Sequence, residues 1–304
     1  MKVTSSVSRI ALRLVLGTST FVLLTFGGHQ QISGSTDTDE KSDGSSKSSD
    51  TASPKTSVRI KEAIAHVAKC ELTLAKATTA KVLKVSEHPL LSFGDPARDN
   101  EAGTLWAWSD GGRPIAMMEL FRRSDTDTVW ISAWTLTSTE LVSMTLDSRP
   151  EWTPAKSDFA LQDFSDSATV SDRPLIRLRQ MKDMVRRFES HEFWDPGNSR
   201  FELRCLETPV LRYSDEKKGI IDGCVFAFAH GTNPEILLFA EAHGTSPEMA
   251  KWQFAAFRLG SAEMHLEVAG KTLWSRDRAP GRTGTPNEHY WVQVASRESS
   301  EAKQ

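Results

Sequence analysis

The sequence lacks a strong excess of charge of either sign. Lysine and arginine number 37 against 40 aspartates and glutamates, which gives a formal net charge of −3. A chain this close to neutrality has no general attraction to nucleic acid or to anionic lipid, so we predict neither as a partner of the whole molecule. Tyrosine is scarce as well, with two residues against nine tryptophans. That ratio fits either tryptophan-rich cores or exposed aromatic platforms.

The chain also lacks short motifs of nucleophilic and phosphate chemistry. It contains no Gly-x-Ser-x-Gly elbow and no phosphate-binding glycine loop. The pair His191-Glu192 is not followed by the second histidine of a metalloprotease helix. A catalytic triad is recognised by geometry rather than by sequence position, so an enzyme is not excluded. The sequence nevertheless favours a non-catalytic protein without a cofactor.

No apolar run reaches the ~20 residues needed to span a bilayer, but a shorter one lies near the N-terminus. The segment Leu14–Phe26 follows the basic residues Lys2, Arg9 and Arg13 and ends at two glycines. This arrangement is typical of a signal peptide, which we place at residues 1–28. No cysteine ends the apolar stretch, which disfavours a lipid anchor. We therefore expect an exported protein, periplasmic or secreted; the alternative is an uncleaved segment that anchors it to the inner membrane.

Residues 29–56 have the composition of a disordered tether. From residue 31 onwards this segment contains no aromatic side chain and is dense in Ser, Thr, Asp and Lys. Such a chain buries too little apolar surface to offset its conformational entropy. Residues 297–304 are a short polar tail. The leader and tether leave the folded part of the protein to begin near residue 57.

The folded part carries an internal similarity at an offset of 120 residues. Residues 81–114 match residues 201–234 without a gap. The identical pairs are Leu83/Leu203, Glu87/Glu207, Pro89/Pro209, Leu91/Leu211, Asp95/Asp215, Gly103/Gly223, Ala107/Ala227, Gly111/Gly231 and Pro114/Pro234. After three inserted residues the similarity resumes at offset 123, where it pairs Leu141 with Met264. The chain therefore reads as an internal repeat.

Each copy begins with a helical apolar stripe and continues with several short strands. A good hairpin signal lies at Ser109–Gly112, between two apolar runs. We predict an α+β fold, formed by tandem duplication of a unit made of one helix packed on an antiparallel meander sheet. The first unit covers residues 57–147, a connecting segment covers 148–173, and the second unit covers 174–296.

Residues shared by both copies have a structural and a functional interpretation. The shared glycines Gly103/Gly223 and Gly111/Gly231 are expected to provide positive φ in loops and turns. Asp95 and Asp215 are expected to cap the loop that follows each of them. The functional alternative pairs Asp95 with Arg98 and Asp215 with Lys218, as two symmetry-related ligand contacts.

The tryptophans divide into matched and unmatched ones. The matched pairs are Trp106/Phe226, Trp108/Phe228 and Trp134/Phe257. Exchange of one large aromatic for another indicates a filled core, because volume is conserved while the indole N–H is dispensable. The unmatched tryptophans, which are better candidates for a sugar-stacking surface, are Trp152, Trp194 and Trp291.

Two weaker hypotheses concern the second copy only. Glu241 and His243, with His230 in the preceding turn, have ligand types that suit zinc, although surface histidines are common. Cys205 and Cys224 lie in neighbouring elements, where a disulfide is possible in an exported protein. The competing interpretation is that these cysteines are two small buried residues.

Taken together, these features favour an exported, non-catalytic binding or scaffolding protein. Its partner would be an envelope protein or a polysaccharide held in a groove between the two copies. Contact with membrane is expected only through the N-terminal leader, if that leader is uncleaved. The alternative is a hydrolase that acts on envelope or extracellular carbohydrate, with acidic residues in the same groove. A basic helix after Pro174 fits either an acidic surface or a solvated face.

Overall fold

The computed structural model describes residues 54–75, 81–95, 100–123, 129–195 and 197–294. The predicted signal peptide, nearly all of the tether and the polar tail lie outside these ranges. No helix within them is long and apolar enough to cross a membrane.

One helix and eight strands form the first half of the fold, residues 54–152. They are α1 Pro54–Val67, β1 Cys70–Leu74, β2 Lys84–Val85, β3 Leu91–Asp95, β4 Asn100–Ser109, β5 Pro114–Arg123, β6 Trp130–Leu136, β7 Val142–Leu146 and β8 Arg149–Trp152. A strand of two residues in the connecting segment, Gln162–Asp163, is β9.

The second half, residues 174–276, has nearly the same order of elements. They are α2 Pro174–Val185, β10 Phe188–Phe193, β11 Phe201–Glu202, β12 Arg204–Cys205, β13 Leu211–Asp215, β14 Ile220–His230, β15 Asn233–His243, β16 Lys251–Arg258, β17 Glu263–Val268 and β18 Lys271–Arg276. A last strand, β19 Tyr290–Val294, follows it.

The strands form two large and two small antiparallel sheets. The first large sheet has the order β19-β6-β5-β4-β2, and the second has the order β12-β14-β15-β16-β9. β3 and β13 add to β4 and β14, respectively. The small sheets are β1-β7-β8 and β11-β10-β17-β18. One edge strand of each large sheet is exchanged between the halves. β9 follows the first half in sequence but joins the large sheet of the second half, and β19 follows the second half but joins the large sheet of the first.

Three apolar clusters hold these layers together. In each half, an outer cluster lies between the large sheet, the small sheet and the helix. The inner cluster joins the two large sheets face to face, and its members are Leu105, Ala107, Met117, Val225, Ala227, Leu237, Phe239, Ala255, Phe257 and Leu259. Strands of the large sheets are thus covered on both faces. This explains why their apolar residues occupy consecutive positions, since successive side chains point to opposite faces of a sheet.

The helices pack through short apolar stripes. The buried positions of these stripes include Ala63, Val67, Met181 and Val185. On α2, Arg177 is also buried, and its Nε lies 2.8 Å from Asp222 Oδ2. The basic side of this helix is therefore not wholly a solvated face, because one of its arginines attaches the helix to β14.

The predicted α+β class is wrong. The described part of the chain is mostly β: 50% of it lies in strands, and it contains only two α-helices. The predicted unit of one helix on one meander is also wrong, since each half contains two antiparallel sheets. The helical stripes are conspicuous in sequence, whereas strands of two to five residues such as β2, β8 and β11 give almost no periodic signal.

The strand registers also correct the predicted offset after the hairpin. Trp134 pairs with Met118 in the first half, and Ala256 pairs with Leu238 in the second. Met118 and Leu238 differ by 120 residues, so β6 and β16 correspond at offset 122. An error of one residue reverses the face of a strand. Trp134 therefore has Ala256 as its counterpart rather than the predicted Phe257, which lies in the inner cluster.

The same offset gives a counterpart to a tryptophan that we predicted to be unmatched. Trp152 pairs with Met144 in the first half, and Trp274 pairs with Leu266 in the second. The two tryptophans are 122 residues apart in sequence, and so are their strand partners. Both tryptophans are buried, in the outer clusters of their halves. Trp152 is thus a core residue rather than an exposed sugar platform.

Two of the four shared glycines have a different role from the predicted one. Gly103 and Gly223 lie within β4 and β14, and an aromatic ring of the preceding strand, β3 or β13, covers each of them. A Cβ at Gly103 would lie 2.1 Å from the Phe93 ring, and one at Gly223 would lie 2.8 Å from Tyr213. Close approach of a ring therefore requires these glycines. The turn glycines Gly111 and Gly231 do have positive φ, 86° and 61°.

Candidate functional site

A buried polar cluster joins the two halves at one end of the inner cluster. Arg113 enters from the β4–β5 turn, and its Nε lies 2.7 Å from Oε1 of Glu241 on β15. The Tyr213 hydroxyl also donates to Oε1, and His243 Nε2 lies 2.7 Å from Oε2. A further hydrogen bond joins Arg113 Nη1 to the Thr137 carbonyl. We call these residues the Arg113 cluster.

Aromatic rings enclose the guanidinium of this cluster. Its carbon lies 4.5 Å from the centroid of Phe159, 4.6 Å from that of Phe239 and 5.9 Å from that of Phe257. Arg113 is 3% exposed and Glu241 is fully buried. A desolvated cation between ring faces gains cation–π attraction, and its carboxylate partner neutralises it. The cluster is therefore a filled site that connects the halves.

The electrostatics of the cluster favour an ionised Glu241. Burial by itself raises the pKa of this carboxyl, but the hydrogen bond with His243, the charge of Arg113 and the hydrogen bond from Tyr213 outweigh it and lower the pKa. Burial and the neighbouring Glu241 raise the pKa of Tyr213 well above its ordinary value. Tyr213 consequently acts as a neutral donor to a charged acceptor.

We expect the Arg113 cluster to make the protein sensitive to acid. The pKa of Glu241 is lowered on folding, so its contribution is complete above the ordinary value of 4.5 and is lost as the pH falls through the folded pKa. Urea unfolding between pH 3 and 7 should show a component of up to ~1.4 kcal/mol per pH unit below that value. Glu241→Gln should lack this component. An identical pH dependence in both proteins would contradict the prediction.

Two predicted ligand contacts, Asp215 and Lys218, belong to the surroundings of this cluster. Asp215 accepts hydrogen bonds from the backbone N–H groups of Arg113, at 3.2 Å, and Lys218, at 3.3 Å. The Lys218 ammonium pairs with Glu140 of the first half. Asp215 thus caps the following turn, as the structural interpretation predicts. The corresponding Asp95 ends β3, where its side chain is outside the described part, and Arg98 lies outside the described residues.

A cavity lies at the opposite end of the inner cluster, between the same two large sheets. Its volume is about 260 Å³. Its polar lining residues are Glu119, Asn233, Glu235, Ser261, Arg278, Arg282 and Tyr290. Glu119 comes from β5 of the first half and Glu235 from β15 of the second, so both large sheets contribute a carboxylate. We call this cavity the inter-sheet pocket.

The polar groups of the inter-sheet pocket differ in depth. Glu119, Glu235 and Asn233 are 3%, 2% and 4% exposed, whereas Arg278 and Arg282 are exposed. Asn233 Nδ2 donates to Glu235 Oε1 at 2.7 Å, but Asn233 Oδ1 has no hydrogen-bond partner among the described residues. A buried acceptor without a partner destabilises the fold, which suggests that a ligand or solvent normally satisfies it.

Sequence reasoning missed the acidic residues of this pocket. A signal was present, because Glu119 interrupts the apolar run at residues 115–121 of β5, between Met118 and Leu120. Carboxylates are almost never fully buried unless they are paired. A glutamate in the middle of a doubly covered strand therefore indicates a specific polar environment, although the sequence does not show what faces it.

A second, larger groove lies against the outer side of β19. Its volume is about 790 Å³, and its aromatic lining residues are His66, Trp130 and Trp291. The Arg122 guanidinium lies 4.2 Å from the Trp130 ring centroid. Burial lowers the pKa of His66 to about 4, so this imidazole is neutral near pH 7. Of the tryptophans predicted as platforms, Trp291 lines this groove and Trp194 lines the inter-sheet pocket.

The structure does not bring the three predicted zinc ligands together. His230 lies opposite Asn233 at the β14–β15 turn, where its Nδ1 is 3.1 Å from Glu192 Oε1. Glu241 lies eight residues further along β15, about 26 Å away at the rise of a strand. The described residues contain no group of three or more His, Cys, Asp or Glu side chains that could hold a metal ion.

The predicted disulfide does not form either. Cys205 and Cys224 are both free. Cys205 pairs with Phe228 of β14, four residues beyond Cys224 on the same strand. That spacing of about 13 Å exceeds the ~7 Å limit between bridged Cα atoms. Cys224 is fully buried and Cys205 is partly buried, which favours the interpretation as small core residues.

Comparisons with protein-family models, with curated proteins and with solved structures give no match for this chain. Its function must therefore be argued from the geometry of the inter-sheet pocket and of the residues around it.

Proposed function

We propose that the protein is an exported, non-catalytic binding protein of the periplasm or cell surface, and that a small ligand occupies the inter-sheet pocket. One observation carries this proposal: buried polar side chains from both large sheets converge on a cavity of about 260 Å³. A concave site with a few convergent polar groups is the usual form of a small-molecule site.

The composition of the pocket supports a recognition role. Apolar residues, including Phe121, Ile131 and Leu259, line the pocket beside the polar ones. Apolar walls exclude water, while a few fixed polar groups select the orientation of the ligand. The hydrogen bond between Asn233 and Glu235 fixes two of these groups before a ligand arrives. Preorganisation of this kind reduces the entropic cost of binding.

A screen of the full-length protein by thermal shift tests this proposal. The panel consists of amino acids, oligosaccharides, nucleotides, lipids and divalent metals. A ligand at ~100 times its Kd stabilises by ~2.7 kcal/mol, which corresponds to a rise in Tm of several degrees. Ser261→Trp places a large side chain at an exposed lining position of the pocket, and the exposed Ser275→Trp on β18 is its matched control.

The expected result is a compound that raises the Tm of the wild type and of Ser275→Trp but not that of Ser261→Trp. If every compound shifts the wild type and Ser261→Trp equally, the inter-sheet pocket is not the binding site and the proposal fails.

A carbohydrate hydrolase is the second candidate, and it is favoured by the two glutamates, one from each large sheet, among the lining residues of the pocket. Two carboxyl groups that flank the scissile bond are the usual machinery of glycoside hydrolysis. The same panel decides between the candidates when reducing sugar is measured after incubation with each oligosaccharide. Sugar release that is lost in both Glu119→Gln and Glu235→Gln would replace the binding role with this one.

A further inference from the structure

The two ends of the inner cluster are occupied differently at corresponding positions. Arg113 and Asn233 each precede a proline at the start of β5 and β15. Each hairpin has a register shift at the same place, between Trp108 and Ser109 and between Phe228 and Ala229. Both side chains are almost fully buried. The backbone therefore directs Arg113 and its counterpart Asn233 into the space between the sheets in the same way.

At the first end, a guanidinium fills that space. Arg113 reaches Glu241 on the opposite sheet and lies between the rings of Phe159 and Phe239. At the second end, the asparagine side chain is three atoms shorter than that of arginine and ends at Glu235. The remaining space is the inter-sheet pocket. The protein thus contains one filled and one open version of the same position.

The open version also offers carboxylates and an aromatic ring, but at other positions than the filled one. At offset 120, Glu119 is the counterpart of Phe239 and Phe121 is the counterpart of Glu241, and Glu235 adds a second carboxylate. Tyr290 provides an aromatic ring, over which the guanidinium of the buried Arg258 already lies at 5.0 Å from the centroid. It lies three residues before Gln293, as Phe159 lies three residues before Gln162. Gln293 and Gln162 pair with corresponding positions of β6 and β16.

The charges change sign from the base of the pocket to its mouth. The carboxylates are buried, whereas Arg278 and Arg282 are exposed lining residues. Arg278 is held in place, because its guanidinium donates to the carbonyls of Trp194, at 3.0 Å, and Phe193, at 2.6 Å. A ligand that carries a cation at one end and an anion at the other matches this order of charges.

We propose that the inter-sheet pocket binds a basic amino acid, with its guanidinium at the buried glutamates and its carboxylate at the mouth. This inference rests on the proposed binding function and specifies its ligand class. In the inter-sheet pocket, the guanidinium of the ligand takes the position that corresponds to that of Arg113. There it donates to carboxylate oxygens of Glu119 and Glu235 and to Asn233 Oδ1. Arg278 and Arg282 receive the carboxylate.

Calorimetric titration of the full-length protein with three compounds tests each end of the ligand. L-Arginine should bind. L-Citrulline has the same shape with a neutral urea group, and its affinity should be on the order of 10- to 100-fold lower because it lacks the charge-assisted hydrogen bonds. Agmatine keeps the guanidinium but lacks the carboxylate, and a loss of about 2- to 5-fold is expected, since the arginines at the mouth are exposed.

A variant that supplies its own guanidinium tests the same position without a ligand. Asn233→Arg should place a side chain in the pocket as Arg113 does, and Asn233→Met is the control of similar length without charge. We expect Asn233→Arg to have a Tm at least about 3 °C above that of Asn233→Met. Titration with L-arginine should give no measurable binding to Asn233→Arg.

The outcomes separate this inference from the proposed function. Equal affinity for L-arginine and L-citrulline, or no binding of L-arginine, overturns the ligand class even if Asn233→Arg fails to fold. If another compound of the thermal-shift panel is then blocked by Ser261→Trp, the binding function stands with a different ligand. If no compound is blocked by Ser261→Trp, both proposals fail.

Discussion

Arg113→Met is expected to lower the free energy of unfolding by about 3–5 kcal/mol, because it leaves a buried carboxylate without its cation. Glu241 is fully buried, and Arg113 Nε is 2.7 Å from its Oε1. The substitution also removes the cation that lies between Phe159 and Phe239. Urea unfolding of the full-length protein at pH 7, followed by tryptophan fluorescence, measures the change.

A second arginine provides the matched control. Arg122 also lies over an aromatic ring and pairs with a glutamate, but its partner Glu62 is 44% exposed. Arg122→Met should therefore cost less than about 1 kcal/mol. The double variant Arg113→Met/Glu241→Leu should recover part of the loss, since replacing both ions removes the unpaired buried charge. Equal effects of Arg113→Met and Arg122→Met would contradict a structural role for the Arg113 cluster.

Trp134→Ala is expected to cost about 3–5 kcal/mol, as large-to-small substitutions of buried aromatic residues do. Trp134 is fully buried between Trp108 and Trp152, with ring centroids 5.0 Å and 5.6 Å away. Its indole N–H donates to Ser132 Oγ at 3.0 Å. The substitution destabilises the protein because it creates a cavity at the centre of the outer cluster. The same urea titration measures the change in the free energy of unfolding.

The second half suggests how this cavity can be filled. There the counterparts of Ser132 and Trp134 at offset 122 are Phe254 and Ala256. Adding Ser132→Phe to Trp134→Ala should therefore recover at least about 1 kcal/mol, since a ring enters the outer cluster from the neighbouring position. Ser132→Phe alone should destabilise by about 1–3 kcal/mol through overpacking. Absence of any recovery in the double variant would show that the register correspondence does not extend to side-chain packing.

Local features of the fold could be predicted from the sequence. The Ser109–Gly112 turn signal marks the β4–β5 hairpin, and the turn glycine Gly111 has the predicted positive φ. Trp106 and Trp108 are buried as predicted. Each of these features depends on residues close together in the chain, where turn geometry and apolar periodicity act directly.

Other features could not be predicted, for reasons that concern packing. Changing the offset from 123 to 122 leaves the list of matched apolar residues almost unchanged, but it moves the counterpart of Trp134 from Phe257 in the inner cluster to Ala256 in the outer cluster. Short strands in the small sheets have too few residues to show a period. Glu241 and His243 were singled out as a pair, but their link to Arg113 was missed because 128 residues separate Arg113 from Glu241.

By itself, then, the sequence determined the hairpins, the turn glycines and the aromatic character of the core, because these follow from local backbone preferences and burial. Only the tertiary structure decided that β9 and β19 exchange between the large sheets, and that these sheets meet face to face. That contact places Arg113 in one end of the shared layer and leaves the inter-sheet pocket open at the other. Both sites lie between the two large sheets, and their burial depends on residues of both halves. No single segment of the sequence therefore shows that one site is filled by an ion pair and that the other is open to a ligand.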